Sequence, residues 1–320
     1  MQLLKKQRWF SFLSASVLAL SLMLTGCGQQ ATSGDTQKPH HEGTWKITTT
    51  TGMVADIVAK VGGDQVEVTQ LMGAGVDPHL YKASQGDIKR IENADIVFYS
   101  GLHLEGKMVD IFEQMSKKKP VIAVTKQIPK ELLHADPESP DQPDPHVWFD
   151  VSLWMKAVEQ VRDSLSEIDT LHKELYYTNA TNYLKQLQEL HDYAKQQVAT
   201  VPKEQRVLVT AHDAFAYFGK AYDIEVVGLQ GISTASEYGL KDVQNLVTTL
   251  VDRKIKAVFV ESSVPKRSIE AVVEGASAKN HNVVIGGELF SDAMGTPGTP
   301  EGNYIGMVKH NVDTIVSALK

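Results

Sequence analysis

WKITTTTGMVADIVAKVGGDQVEVTQL, residues 45–71, decides the fold. Residues 46–50 are β-branched after Lys46, residues 53–61 have helical spacing, and residues 65–71 alternate around Val66 and Val68. Strand, helix and strand in so short a stretch make a βαβ unit, which requires a parallel sheet. A second such unit opens at Arg206, with a strand over 207–210, a helix over 214–221 and a strand over 224–229. Short apolar strands at 96–99, 121–124, 257–260 and 283–285 alternate with helical stretches. The expected class is therefore α/β, two lobes with mostly parallel sheets. No glycine occurs between Gly106 and Gly219, and no proline between Pro145 and Pro202, so the middle of the chain is built for helix. Leu175, Tyr183, Leu184, Leu187, Leu190, Ala194 and Val198 recur there at spacings of three and four. They predict one helix of roughly 28 residues, about 40 Å long. Lying between the two βαβ halves, it is expected to link a lobe at 45–167 to a lobe at 201–320, the link itself being 168–200. An ordinary helix flanking the core is the alternative.

The amino terminus reads as an export leader. Lys5, Lys6 and Arg8 precede residues 9–24, which carry no charge and are too few for a membrane span of roughly 20 residues. The stretch ends in Leu24-Thr25-Gly26-Cys27, and Cys27 is the sole cysteine, which rules out an internal disulfide. This ending resembles the lipobox of bacterial lipoproteins. The resemblance implies removal of residues 1–26, acylation of Cys27, and a lipid anchor to the cell membrane on its outer side. Residues 27–44 are polar and are expected to form a flexible tether on which His40 and His41 are solvated passengers. Without the leader, 29 basic residues stand against 39 acidic ones, a net charge of −10. That balance argues against nucleic acid as a partner and against a polybasic membrane surface.

Asp-Pro-His occurs twice, at Asp77-Pro78-His79 and Asp144-Pro145-His146. Proline fixes its own φ and pushes the preceding Asp toward extended backbone, so each His leaves a stiff corner. Asp77 and Asp144 are candidates to hold an imidazole or a loop amide from behind. His212 follows the strand at 207–210, and Asp292 follows the last strand, so both sit where parallel sheets place ligands. Three imidazoles and one carboxylate suit borderline divalent ions such as Mn²⁺, Zn²⁺ or Fe²⁺.

Taken in order, Gly75-Val76-Asp77-Pro78-His79, Gly101-Leu102-His103-Leu104-Glu105, Asp144-Pro145-His146-Val147-Trp148, Thr210-Ala211-His212-Asp213-Ala214-Phe215 and Leu289-Phe290-Ser291-Asp292 give the chain its resemblance to the metal-binding lipoproteins that act as solute receptors for bacterial manganese, zinc and iron ABC importers. The resemblance covers residues 45–320. It implies a metal at the interface of two lobes joined by one long helix, held by His79 and His146 from the first lobe and His212 and Asp292 from the second. It also implies delivery to an ABC permease and its ATPase subunit, and a binder in place of an enzyme. Many manganese receptors of this kind carry Glu at the third position, whereas this chain has His212, as do zinc receptors and one manganese-associated branch. Zinc receptors, however, commonly carry a His-rich loop before the second ligand, and residues 134–145 hold one histidine. Manganese is the expected cargo, with zinc or iron as alternatives.

Glu261, after the strand at 257–260, is a further candidate to order the site, and Trp148, Phe149, Phe215 and Tyr217 are expected to wall it from water. His103, His172, His191, His281 and His310 are read as structural or surface residues. Metal release is expected to need only small lobe shifts and local loosening around Asp292, because a long helix resists bending. A monomer is expected. The rival classes are a metallohydrolase, in which one of the four residues would give way to a bound water, and a surface adhesin with a purely structural metal.

Overall fold

The structure, a computed structural model, describes residues 43–136, 139 and 141–320. The expected leader, Cys27, His40 and His41 lie outside the described residues. Strand β1 (Trp45–Thr49), helix α1 (Gly52–Gly62) and strand β2 (Val66–Gln70) form the first βαβ unit. Helix α2 (Gln85–Asn93), β3 (Ile96–Tyr99), α3 (Val109–Ser116) and β4 (Val121–Ala123) complete a four-stranded sheet of order β2-β1-β3-β4, and all three of its ladders are parallel. Its α2 begins with a capping box. Ser84 Oγ accepts the Asp87 N–H at 3.2 Å, and Asp87 Oδ2 accepts the Ser84 N–H at 2.9 Å.

The second half contains β5 (Val207–His212), α6 (Ala216–Tyr222), β6 (Glu225–Gln230), α7 (Leu240–Asp252), β7 (Ala257–Glu261), α8 (Arg267–Ala278), β8 (Val284–Leu289) and α9 (Tyr304–Leu319). Its strands pair as two parallel ladders, β5 with β6 and β7 with β8, and β5 lies alongside β7. Every residue of β5 and β7 is buried, as expected for strands covered on both faces. Strand β8 runs four residues past the predicted end at 285, through Gly286-Gly287. A Cβ at Gly287 would fall 2.4 Å from the Thr314 methyl group, so the two glycines let α9 press against this strand.

Helices α4 (Val151–Ile168) and α5 (Lys173–Ala199) connect the halves and pack against each other. The long linking helix begins at Lys173 and runs 27 residues, and the segment just before it is a helix of its own. The buried stripe on α5 is Tyr176, Ala180, Tyr183, Leu187, Leu190, Ala194 and Val198. Leu175, expected in that stripe, is exposed: it lies about 100° around the helix from Tyr176, which takes the buried place. Along its length α5 touches α1 and α4 from the first half and α6 and α9 from the second. The main core is accordingly continuous, running from Ile47 and Phe98 through Trp154 and Tyr183 to Phe215, Phe259 and Tyr304. Among the described residues no helix is long and apolar enough to cross a membrane.

Candidate metal centre

The two Asp-Pro-His corners use their carboxylates differently. Asp77 Oδ1 accepts the N–H of His79 at 2.8 Å and of Leu80 at 3.4 Å, closing a tight turn. Its other oxygen accepts from Thr234 Oγ1 at 2.6 Å, so Asp77 holds the loop and leaves the imidazole alone. Asp144 Oδ1 accepts both the N–H of His146, at 2.9 Å, and its Nδ1–H, at 2.7 Å. That second bond fixes the tautomer and turns Nε2 inward. His212 is the last residue of β5, which runs two residues beyond the carboxyl end read from the sequence. Its N–H donates to Glu261 Oε1 at 2.9 Å, and its Nδ1 lies 2.5 Å from Glu261 Oε2. Glu261 ends the neighbouring strand β7, so strand adjacency itself places this carboxylate behind the ring. Room for the backbone beyond His212 comes from Gly228, where a Cβ would sit 2.7 Å from Asp213 N.

Asp292 stands three residues past β8. Asn311 on α9 clamps the residue two before it, accepting from Phe290 N at 2.9 Å and donating to Phe290 O at 2.7 Å. The Trp148 indole donates to Ser291 O at 3.1 Å, and the Ser263 and Ser291 hydroxyls meet at 2.8 Å. The Asp292 carboxylate itself is buried, and apart from the imidazoles no described residue bonds to it.

These four side chains converge. Nε2 of His79 lies 3.3 Å from Nε2 of His146, Asp292 Oδ1 is 3.2 Å from His146 Nε2, and Asp292 Oδ2 is 3.4 Å from His212 Nε2 and 3.8 Å from His79 Nε2. One ligand atom from each of the four lies within 4.8 Å of the others, and all four residues are buried. No other such group of His, Cys, Asp or Glu occurs among the described residues.

Electrostatics divides the three imidazoles. Burial drives the His79 pKa down to about 3, against the pull of Asp292 and with help from His146 and His212. Burial would lower His146 as well, but Asp144 and Asp292 outweigh it and raise the group to about 9. At His212, burial is likewise overcome, by Glu261 and Asp292, and the pKa lies well above the ordinary value. Asp292 is held well below the carboxylate range: burial opposes ionisation, and His212, His146 and His79 prevail.

The remaining histidines lie elsewhere. His103 is exposed on a left-handed bend formed by Gly101, Leu102 and His103, its ring packed over Gly106. His134 stacks on Tyr217 with ring centroids 4.1 Å apart, and His172 binds Asp169 at 2.7 Å. His191 meets Tyr222, His281 the carbonyl of Ile255, and His310 the carbonyl of Glu288. Trp148, Phe149, Phe215 and Tyr217 are all buried, and Trp148 meets the His146 ring edge-on at 5.2 Å. Sequence reasoning missed Thr234, Asn311 and Tyr304, whose hydroxyl donates to Trp148 O at 2.6 Å; ordinary polar residues in a loop and a helix carry no local signal of such bonds.

The profile of the family described as zinc-uptake complex component A, periplasmic (ZnuA), matches residues 47–318. The manganese-binding lipoprotein MntA of Bacillus subtilis is 51% identical over 310 residues, which cover 96% of this chain and 99% of that protein. The zinc-binding protein TroA of Treponema pallidum is 46% identical over 305 residues, 95% of this chain and 97% of that one. The solved structure of T. pallidum TroA superposes with a TM-score of 0.84 over 87% of this chain and 99% of its own. The chain therefore belongs to the zinc-uptake complex component A family, the metal-binding lipoproteins that serve ABC importers as substrate-binding components.

Proposed function

We propose that His79, His146, His212 and Asp292 ligate a divalent transition metal as cargo, Mn²⁺ before Zn²⁺ or Fe²⁺, and that the protein delivers it to an ABC permease driven by an ATPase subunit. Acylated Cys27 is the proposed anchor of this outward-facing lipoprotein. The observation that carries the reading is Asp292: both carboxylate oxygens are buried and face three imidazole Nε2 atoms, with no other polar partner among the described residues. An ionised carboxylate so buried needs positive charge beside it, from protonated His146 and His212 in the metal-free protein or from a bound cation in their place. Four bonds of about 2.1 Å in a tetrahedron put neighbouring donors about 3.4 Å apart; four of the contacts here run from 3.2 to 3.8 Å, and all four ligand atoms lie within 4.8 Å of one another. The cluster is thus near the right size for such an ion, whose binding would draw the wider pairs together.

Preference for Mn²⁺ rests on the second oxygen of Asp292. With both oxygens engaged the site offers five donors, whereas closed zinc sites are four-coordinate, and shells richer in oxygen suit manganese. The His-poor loop at 134–145 and the similarity to B. subtilis MntA support the same choice. The family's members are substrate-binding components of importers, so capture is the chemistry offered.

Because Zn²⁺ outranks Mn²⁺ in affinity at almost any such site, the deciding measurement is cellular. Deleting the gene should reduce accumulation of Mn while leaving Zn near normal, and His146→Ala should not restore it. A loss of Zn accumulation alone would make zinc the cargo. Metal bound by purified His146→Ala protein as well as by the unaltered protein would overturn the ligand assignment.

A further inference from the structure

Three of the four ligands are locked in place from more than one side, and the fourth is not. His146 and His212 each have a carboxylate behind the ring, Asp144 and Glu261. The His146 segment is also bonded to the second lobe three times: Tyr217 OH donates to Asp144 O at 2.9 Å, Tyr304 OH to Trp148 O at 2.6 Å, and the Trp148 indole to Ser291 O at 3.1 Å. Asp292 is held through the backbone on either side of that last bond, by Asn311 at Phe290 and by Ser263 at Ser291. The His79 loop has much less. Asp77 does not reach the imidazole, the adjacent Leu80 is 50% exposed, and among the described residues one side-chain hydrogen bond joins this loop to the second lobe, from Thr234 Oγ1 to Asp77 Oδ2 at 2.6 Å. Thr234 is itself placed by Gln230 at the end of β6, whose Nε2 donates to the carbonyls of Thr234 at 2.8 Å and Ser236 at 2.6 Å.

We propose that Thr234 is a positioning residue for His79: its hydroxyl, through Asp77, latches the His79 loop over the site, and breaking that bond lets His79 leave the metal before the other three ligands do. The inference rests on the metal-ligand reading given above. It places the yielding element at His79 in place of Asp292, because Asn311 and Ser263 within the second lobe and Trp148 from the first all pin the stretch 290–292, whereas Thr234 alone holds the loop 77–80 from the second lobe. A hydroxyl donating to a carboxylate is among the stronger neutral-donor bonds. Its loss should therefore be felt in how long the metal stays.

The test uses the mature protein loaded with Mn²⁺ and mixed with excess chelator. Thr234→Val keeps the shape and removes the hydroxyl, and it should release metal about tenfold faster, the factor that corresponds to about 1.4 kcal/mol. Thr234→Ser, which keeps the hydroxyl, should restore the slow rate. A Thr234→Val rate equal to that of the unaltered protein, or a Thr234→Ser protein as fast as Thr234→Val, would overturn the proposal. A second measurement needs no variant. In the Zn²⁺-loaded protein, the amides of His79 and Leu80 should exchange hydrogen faster than those of His146 and Phe290, and the opposite order would also refute it. Stoichiometry separates the two readings. If the unaltered protein holds no metal, both fall; if it holds one ion that His146→Ala loses, while Thr234→Val behaves as the parent, only the latch falls.

Discussion

Loading this site with metal should expel protons, and the number follows from the geometry. In the metal-free protein His146 has a pKa near 9 and His212 a still clearly raised one, so both rings are protonated on both nitrogens at pH 7. Their Nδ1 sides face Asp144 and Glu261, and a metal must take the Nε2 sides. His79 is already neutral, and Asp292 is already ionised. Two protons must therefore leave at pH 7, one from each of His146 and His212. The sign follows directly: because the raised groups hold protons below their folded pKa values, apparent affinity falls as pH falls. Each released proton contributes about 1.4 kcal/mol per pH unit, so two give about 2.7 kcal/mol, or roughly a hundredfold in affinity between pH 6 and pH 7. Above pH 9 the slope should drop as His146 loses its proton unaided. Calorimetry of Mn²⁺ binding in buffers of different ionisation enthalpy counts the protons, and chelator competition across pH gives the slope. Release of no protons at pH 7, or an affinity flat from pH 6 to pH 8, would refute the assignment of charge to these two rings.

Related outcomes follow from the groups around the ligands. Glu261→Gln and Asp144→Asn each remove the charge that keeps a ring protonated, so each should cut metal affinity 10- to 100-fold while lowering the number of protons released toward one, both read in the same calorimeter. Trp148→Phe deletes the donor to Ser291 O, whereas Trp154→Phe removes an indole N–H that is buried without a partner. Urea unfolding of the metal-free proteins should show Trp148→Phe the less stable of the two by about 1–3 kcal/mol; equal midpoints and slopes would deny the Trp148 bond any weight.

Much of this architecture can be read without coordinates, because it depends on local rules. The βαβ periodicity of residues 45–71 emerges as β1, α1 and β2, and the apolar spacing of the long helix as α5. Its stripe is misread by one residue at Leu175, since a Leu attracts the eye where Tyr176 and Ala180 carry the buried face. The division of the second half into two ladders is not legible, because apolar strands look alike whether or not their neighbours hydrogen-bond to them. The four converging residues were nominated from strand ends, the doubled tripeptide and the family motifs, and the structure brings them together. Their supports were only half visible. Asp144 and Asp77 occupy the same place in the same tripeptide, yet one grips a ring and the other a turn and Thr234. That difference depends on the direction of each corner in space, which is a tertiary property.

The carboxylates behind His146 and His212 have a consequence for what an empty receptor is. With both rings protonated, the metal-free pocket already holds two positive charges against Asp292. If two protons depart as one divalent ion arrives, the exchange is isoelectric, and the field that the buried pocket projects to the surface would be nearly the same before and after loading. Cargo would be traded for protons of equal total charge inside a continuous core. A permease meeting this protein would then have little difference in charge by which to tell full from empty, and would have to sense how firmly the lobes are held together.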